Sequence, residues 1–343
     1  MSASALLLPR RQSRPRLALV LLSLLLLGGS LVHLGLGARW IAPQTVLQAL
    51  LHYDPRNFDH RIIVDLRLVR LAAALLTGAA LGVAGLLLQT VIRNPLGEPH
   101  ILGLNAGASL AVVATSALGI SLGGVALARP LTAACGAALL FGGVMLLSSS
   151  GRGGVTPLRI TLCGVALSAF ASAVTAAILI LDEQTLLAMR TWLAGDLAGL
   201  NWQTLRAALL PALAGVTIAL VIAPRLNVLA LGDKVALGLG VKIVQTRLLG
   251  LTAIALLCGS AVAVAVAGPI GFVGLVVPHA VRRLISEDIR LALPLAAPVG
   301  ALVLLLADIA ARTLVASQEL ATGAMTALVG APVFIFIAAR FFK

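Results

Sequence analysis

The sequence predicts an all-α integral membrane protein with about ten transmembrane helices. Three observations carry this reading. Apolar residues make up 60% of the chain and charged residues only 11%, whereas soluble domains carry about 25% charged residues. Mean hydropathy is +1.08. The apolar residues fall in repeated runs of roughly 20, the length that crosses the hydrocarbon core of a bilayer. The 34 glycines suit helices that pack closely through small residues.

The first apolar run, Leu17–Leu36, follows Arg10, Arg11, Arg14 and Arg16. It has the layout of a signal peptide, but no clear small-residue cleavage site precedes Arg39. It is therefore read as a retained first helix, with residues 1–16 as a cytoplasmic arm. The second run, 68–92, contains Gly78-Ala-Ala-Leu-Gly82, a small-xxx-small spacing read as helix packing. Further spans are placed at 104–121, 126–147, 160–181, 205–223, 247–267, 270–285, 291–307 and 323–340. The span at 270–285 holds Gly271, Gly274 and Pro278, so a broken helix is expected there. The whole chain, 1–343, reads as a single transmembrane domain.

Between the second and third spans the helix must break. Asn94-Pro95, Gly97 and Pro99 cannot continue it, because each proline lacks a donor and restricts its neighbour. Lipid cannot satisfy the freed backbone groups, so the break must face protein, water or a solute path. This points to a transporter or channel and away from a simple anchor.

Net charge is +13. The cations are scattered at span ends, so nucleic acid is not an expected partner and membrane lipid is. With both termini cytoplasmic, 16 of the 25 Lys and Arg residues fall inside, as the positive-inside rule asks. The outer side still holds nine, and five of them lie between Arg39 and Arg70. A docking partner and a plain solvated loop are both open readings of that excess.

The chemistry is sparse. Nearly all acidic residues sit in loops or at span ends, whereas ion-coupled carriers place ionisable groups near the midplane. Walker A is absent. Its nearest look-alike, Ser148–Thr156, has no Lys before its Thr and no strand before it, and reads as a cytoplasmic loop. If ATP drives transport, the ATPase is another chain. Cys135, Cys163 and Cys258 read as small buried hydrophobes, and His279 as a structural polar group at a helix end. No catalytic residue, metal site or cofactor is expected.

One inner loop, residues 224–246, stands out. Leu229–Leu239 is mildly amphipathic and too short and charged to span, and Gly232 and Gly238-Leu-Gly240 punctuate it into two short helices. It is either an interfacial helix lying on lipid or a knob that docks into a cytoplasmic partner.

Four stretches then identify a family. They are Arg67-Leu-Val-Arg-Leu-Ala running through Gly78 into Gln89…Arg-Asn-Pro-Leu-Gly-Glu-Pro; Leu162-Cys-Gly-Val-Ala-Leu-Ser168; Leu229-Ala-Leu-Gly-Asp…Leu-Gly-Val241; and Gly268-Pro-Ile-Gly-Phe-Val-Gly-Leu-Val-Val-Pro-His279 with Ala307–Arg312 and Gly330–Phe334. In this order the chain, from about residue 60, resembles the permeases of ABC importers for iron-siderophores, haem and vitamin B12. The resemblance implies a type II ABC importer permease fold with alternating access. It implies a second permease subunit, the same or a sister chain. It also implies two copies of a cytoplasmic ABC ATPase, and a periplasmic or lipid-anchored substrate-binding protein. The localisation implied is the inner membrane.

By the same resemblance, Arg67, Arg70 and Arg312 match outer arginines that meet the binding protein. Leu229, Ala230, Leu231, Gly232, Asp233, Leu239 and Gly240 match the ATPase-coupling helices. Asn94 and Leu96 match an inner gate, and Pro157 and Leu158 a second one. The second pair departs from the small polar pair of the vitamin B12 permease. Glu319-Leu-Ala-Thr-Gly323 also lacks the family's Pro after Leu. The Pro99–Ser109 run is closer to ferric-siderophore members than to haem or cobalamin members.

Overall fold

The computed structural model describes residues 15–37, 39–120, 128–150, 156–260, 268–284, 287–314 and 319–341. The expected arm falls outside these residues except for its last two positions, as do Arg152 and the end of the seventh expected span. Among the described residues every regular element is helical.

The chain enters through α1 (Pro15–Gly35), then two short helices, α2 (Pro43–Leu51) and α3 (Phe58–Arg61). A π-helical turn over Ile62–Arg67 feeds α4 (Leu68–Val91). This is the central helix, buried along nearly its whole length. A helix apolar all round belongs in a core, and its run of Gly and Ala lets neighbours approach. Gly78 and Gly82 meet Gly300 and Ala296 so closely that a Cβ at Gly78 would strike the Gly300 carbonyl oxygen. The small-xxx-small spacing is thus the seam of a helix crossing.

After α4 comes the break. A 3₁₀ turn, Pro99–Leu102, precedes α5 (Leu104–Ala117), which is shorter than the run of 104–121 expected from hydropathy. Gly119, at φ +64°, ends that segment, a conformation that glycine adopts without steric cost. Next are α6 (Ala128–Ser149), α7 (Pro157–Leu181) and α8 (Glu183–Leu193). Thr156 caps α7 with its hydroxyl, and Pro157 stands in the first helical turn, where its missing N–H costs nothing.

The next helix, α9 (Trp202–Ala230), runs through Pro211 and Pro224. The expected stop before Pro224 is therefore corrected: the helix continues for two further turns. Leu229 and Ala230 belong to its end, with Leu229 fully buried and Ala230 exposed. Of the two short helices expected in the loop, one forms, α10 (Asp233–Gly238).

A helix α11 (Ile243–Ile254) continues as a π-helical turn to Ser260. The half-length α12 (Val273–Leu284) follows a non-helical stretch at 268–272, in line with the expected break. Last are α13 (Ile289–Thr313) and α14 (Thr322–Phe341). Among the described residues six helices are long and apolar enough to span, and three shorter apolar helices accompany them. Of the cysteines only Cys258 is buried; Cys135 is exposed and Cys163 half-buried.

Candidate functional site

The functional candidates gather at opposite ends of α4. At its C-terminal end, Asn94 closes a tight turn. Its Oδ1 accepts the Leu96 N–H at 3.0 Å and its carbonyl accepts the Gly97 N–H at 3.0 Å. This is the Asx geometry that Asn favours, and it explains why the helix stops here. Asn94 is exposed and Leu96 half-buried.

Two signals that sequence reasoning missed flank this turn. Among the described residues, Arg93 (φ 50°) and Phe272 (φ 67°) are the non-glycine residues with left-handed backbone. Such conformations persist only where the surroundings hold them, and both are held. The Arg93 guanidinium donates to Asp233 Oδ1 at 2.6 Å. Arg247 donates to both oxygens of the same carboxylate at 3.0 Å. The gate candidates are thus bonded, through the residue next to Asn94, to the candidate coupling loop. Gly232 reaches φ +114° at the turn between α9 and α10, and this suits glycine alone.

On the other flank, Glu98 Oε1 accepts the Phe272 N–H at 2.6 Å. Asn105 lies within 2.7 Å of His100 Nδ1, and His100 Nε2 is 3.7 Å from Glu98 Oε1. Deeper still, Arg282 donates to Gln89 Oε1 and Thr90 Oγ1, both at 3.2 Å. His279 donates from Nδ1 to the Leu275 carbonyl at 3.0 Å, the structural role expected of it. Asn227 joins the ends of α9 and α13: its Nδ2 donates to Asp288 at 2.6 Å, and its Oδ1 accepts the Ile289 N–H at 2.9 Å. That bond, with the Arg290 N–H, holds the Asp288 carboxyl below the usual carboxylate range.

Pro157 and Leu158 stand at the start of α7, with Leu158 exposed. Further along α7, Gly164 abuts the Ile101 carbonyl of the 3₁₀ turn. Leu231, Leu239 and Gly240 are exposed on the candidate coupling loop beside half-buried Asp233, so this loop presents apolar side chains outward.

At the opposite end of α4 the three arginines come together, but they turn inward. Arg67 donates to the carbonyls of Leu34 (2.7 Å), Gly35 (2.8 Å) and Arg39 (2.7 Å). Arg312 donates to the His33 carbonyl at 3.3 Å and to that of Leu36. Arg70 pairs with the fully buried Asp308 at 3.0 Å and with Glu319 at 2.7 Å. Asp308 also meets His33 Nε2 at 2.8 Å and accepts the Thr322 hydroxyl at 2.6 Å. A buried carboxylate is tolerable only when so paired. The network staples α1, α4, α13 and α14 at one depth. Two ion pairs lead outward: Glu319, with its side chain 47% exposed, takes Arg70 at 2.7 Å and lies 3.9 Å from Arg312 Nε.

Among the described residues no group of three or more His, Cys, Asp or Glu is arranged to hold a metal ion. Among the described residues the buried charged groups link helices.

Comparison with known proteins gives a consistent picture. The FecCD transport family model matches residues 24–340. The chain is 41% identical over 320 residues to the ferric enterobactin transport system permease FepD of Escherichia coli, covering 93% of this chain and 94% of the relative. It is 39% identical over 314 residues to the iron(3+)-hydroxamate import system permease FhuB of Bacillus subtilis, covering 91% and 80%. A solved structure described as a metal-chelate type ABC transporter in an inward-facing conformation superposes with a TM-score of 0.81 at 31% identity, over 95% of this chain and 99% of that one.

Proposed function

The chain belongs to the FecCD transport family, and from that premise we propose that it moves ferric siderophores across the inner membrane by ATP-driven alternating access. It is a multi-pass permease subunit and not itself an enzyme, and its family works with an ATPase and a substrate-binding protein. The proposed assembly holds two permease subunits and two ATPases, fed by a periplasmic or lipid-anchored binding protein. Both termini are cytoplasmic, and the segment between α9 and α11, residues 231–242 with α10, meets the ATPase.

The observation that carries the mechanism is the Arg93–Asp233–Arg247 bridge. In this reading the exposed residues of the knob, Leu231 and Leu239 among them, seat in the ATPase. ATP-driven closure moves Asp233, and Arg93 passes that displacement to Asn94 and Leu96. Pro157 and Leu158 form the second gate. The cargo reading is supported by relatives named for ferric enterobactin and iron(3+)-hydroxamate transport. It is also supported by the Pro99–Ser109 run.

The docking of Arg67, Arg70 and Arg312 takes a particular form here. Their guanidiniums already hold internal partners, and Glu319 is the partner most open to exchange. A carboxylate on the binding protein would replace Glu319 on Arg70 and Arg312, while Arg67 fixes the backbone beneath. The test is uptake into proteoliposomes holding the permease and ATPase. Ferric siderophore should enter only with both ATP and the binding protein. Uptake without ATP would point to a secondary carrier.

A further inference from the structure

The first turn of α12 packs against α4 so closely that a Cβ on Gly85 would strike the Gly274 carbonyl oxygen, and Pro99 lies against Gly274 in turn. Gly85 stands about two helical turns in from the end of α4. Glu98 and the 268–272 stretch meet beside this crossing. There the backbone N–H groups at the start of α12 have no helical partner. Glu98 supplies one acceptor, at 2.6 Å from the Phe272 nitrogen, with its side chain 20% exposed. A carboxylate at this place is also favoured by the dipole of α12.

Phe272 is the residue this bond holds at φ 67°. In that conformation its side chain is thrown against α14, where a Cβ on Gly330 would collide with the Phe272 Cβ and ring. One carboxylate thus joins three elements: the broken segment after α4, α12 and α14. The same broken segment is bonded at its other end, through Arg93, to Asp233.

We propose that Glu98 is a positioning residue for transport. By holding the Phe272 N–H it carries the motion of the Asn94–Leu96 segment to α12 and α14. This rests on the gate reading above. The Arg93 bridge brings displacement from the coupling loop into the segment, and the Glu98 clasp takes it out again. The left-handed conformation of Phe272 makes this joint two-state, because release of the N–H lets the residue leave a disfavoured region and withdraws the ring from Gly330. Oxygen acceptance is what the role requires, and negative charge is not.

That separation sets the test. Glu98→Gln keeps an acceptor oxygen at the same reach and loses the charge. Glu98→Met keeps length and bulk and loses the acceptor. Each would be reconstituted as the full complex with ATPase and binding protein, and the ratio of cargo moved to ATP hydrolysed measured beside assembly and thermal stability. The expected result is a ratio within about three-fold of wild type for E98Q and at least ten-fold lower for E98M, with ATP hydrolysis retained in both. Equal ratios for wild type and E98M would overturn the proposal. An E98Q ratio as low as that of E98M would replace it with a charge-dependent role. An E98M complex that does not assemble would reduce Glu98 to a purely structural bond. Failure of the cargo reading is separable, since wild-type vesicles would then take up no ferric siderophore at all.

Discussion

Arg93, held at φ 50°, donates to Asp233 at 2.6 Å across 140 residues of sequence. This bond connects the polar break that ends α4 to the loop that follows α9. Arg247, with its side chain 7% exposed, grips the same carboxylate from α11. An exposed pair alone contributes little, but one carboxylate shared by two guanidiniums on separate elements fixes their relative position.

Removing that carboxylate should uncouple the machine. Asp233→Ala is expected to leave assembly intact and to lower transport per ATP hydrolysed by about ten-fold, roughly 1.4 kcal/mol of coupling. Wild-type coupling in D233A complexes would remove the bridge from the mechanism.

The crossing of α4 and α13 predicts a packing defect. Gly82 has the Ala296 carbonyl oxygen 2.5 Å from where a Cβ would stand, with the Gly300 Cα at 3.1 Å. Backbone cannot give way as a flexible side chain does. Gly82→Val is expected to destabilise the permease by about 1–3 kcal/mol, read as a lower thermal transition in detergent. An unchanged transition would mean that the helices are less closely seated than described.

How much of this was legible in the sequence can be judged residue by residue. The glycine spacing at 78 and 82 was legible as helix packing, because small residues let two helices approach closely. The Asn94-Pro95 break was legible because proline and Asx chemistry act locally. The continuation of α9 through Pro224 was not. A proline at that position lacks a donor, and only packing of Ile222, Leu226 and Leu229 into the core outweighs the lost bond. Nor was the inward turn of Arg67 and Arg312 legible. Charge counting places a cation at an end of the membrane but says nothing of the carbonyls at 33–39 that accept from it. The positive-φ residues Arg93 and Phe272 carry no sequence signal, since neither is a residue type that seeks this conformation.

The outer network predicts a gain of function. Glu319 occupies Arg70 and approaches Arg312. If those cations receive a partner's carboxylates, Glu319→Ala should strengthen binding-protein docking several-fold at low salt, with the effect shrinking as salt rises. Unchanged affinity at low ionic strength would argue that these arginines serve only the fold. Reversing Arg70 itself is a poorer test, because it would strand the buried Asp308.

Acid should loosen the joint between α9 and α13. The folded pKa of Asp288 is lowered, chiefly by the Asn227 hydrogen bond. Its contribution is then complete above the ordinary carboxylate value of about 3.9. It is lost as pH falls from there through the lowered folded value. Thermal stability of wild type should therefore fall more steeply than that of Asp288→Asn below about pH 4. Parallel pH profiles would contradict this.

Ferric siderophore is the cargo proposed for this permease. The most direct measurement is uptake in a strain lacking the gene, with labelled ferric siderophores, haem and cobalamin compared side by side. Loss of ferric siderophore uptake alone, restored by the intact gene, is the predicted result. Loss of haem or cobalamin uptake, with siderophore uptake preserved, would contradict it.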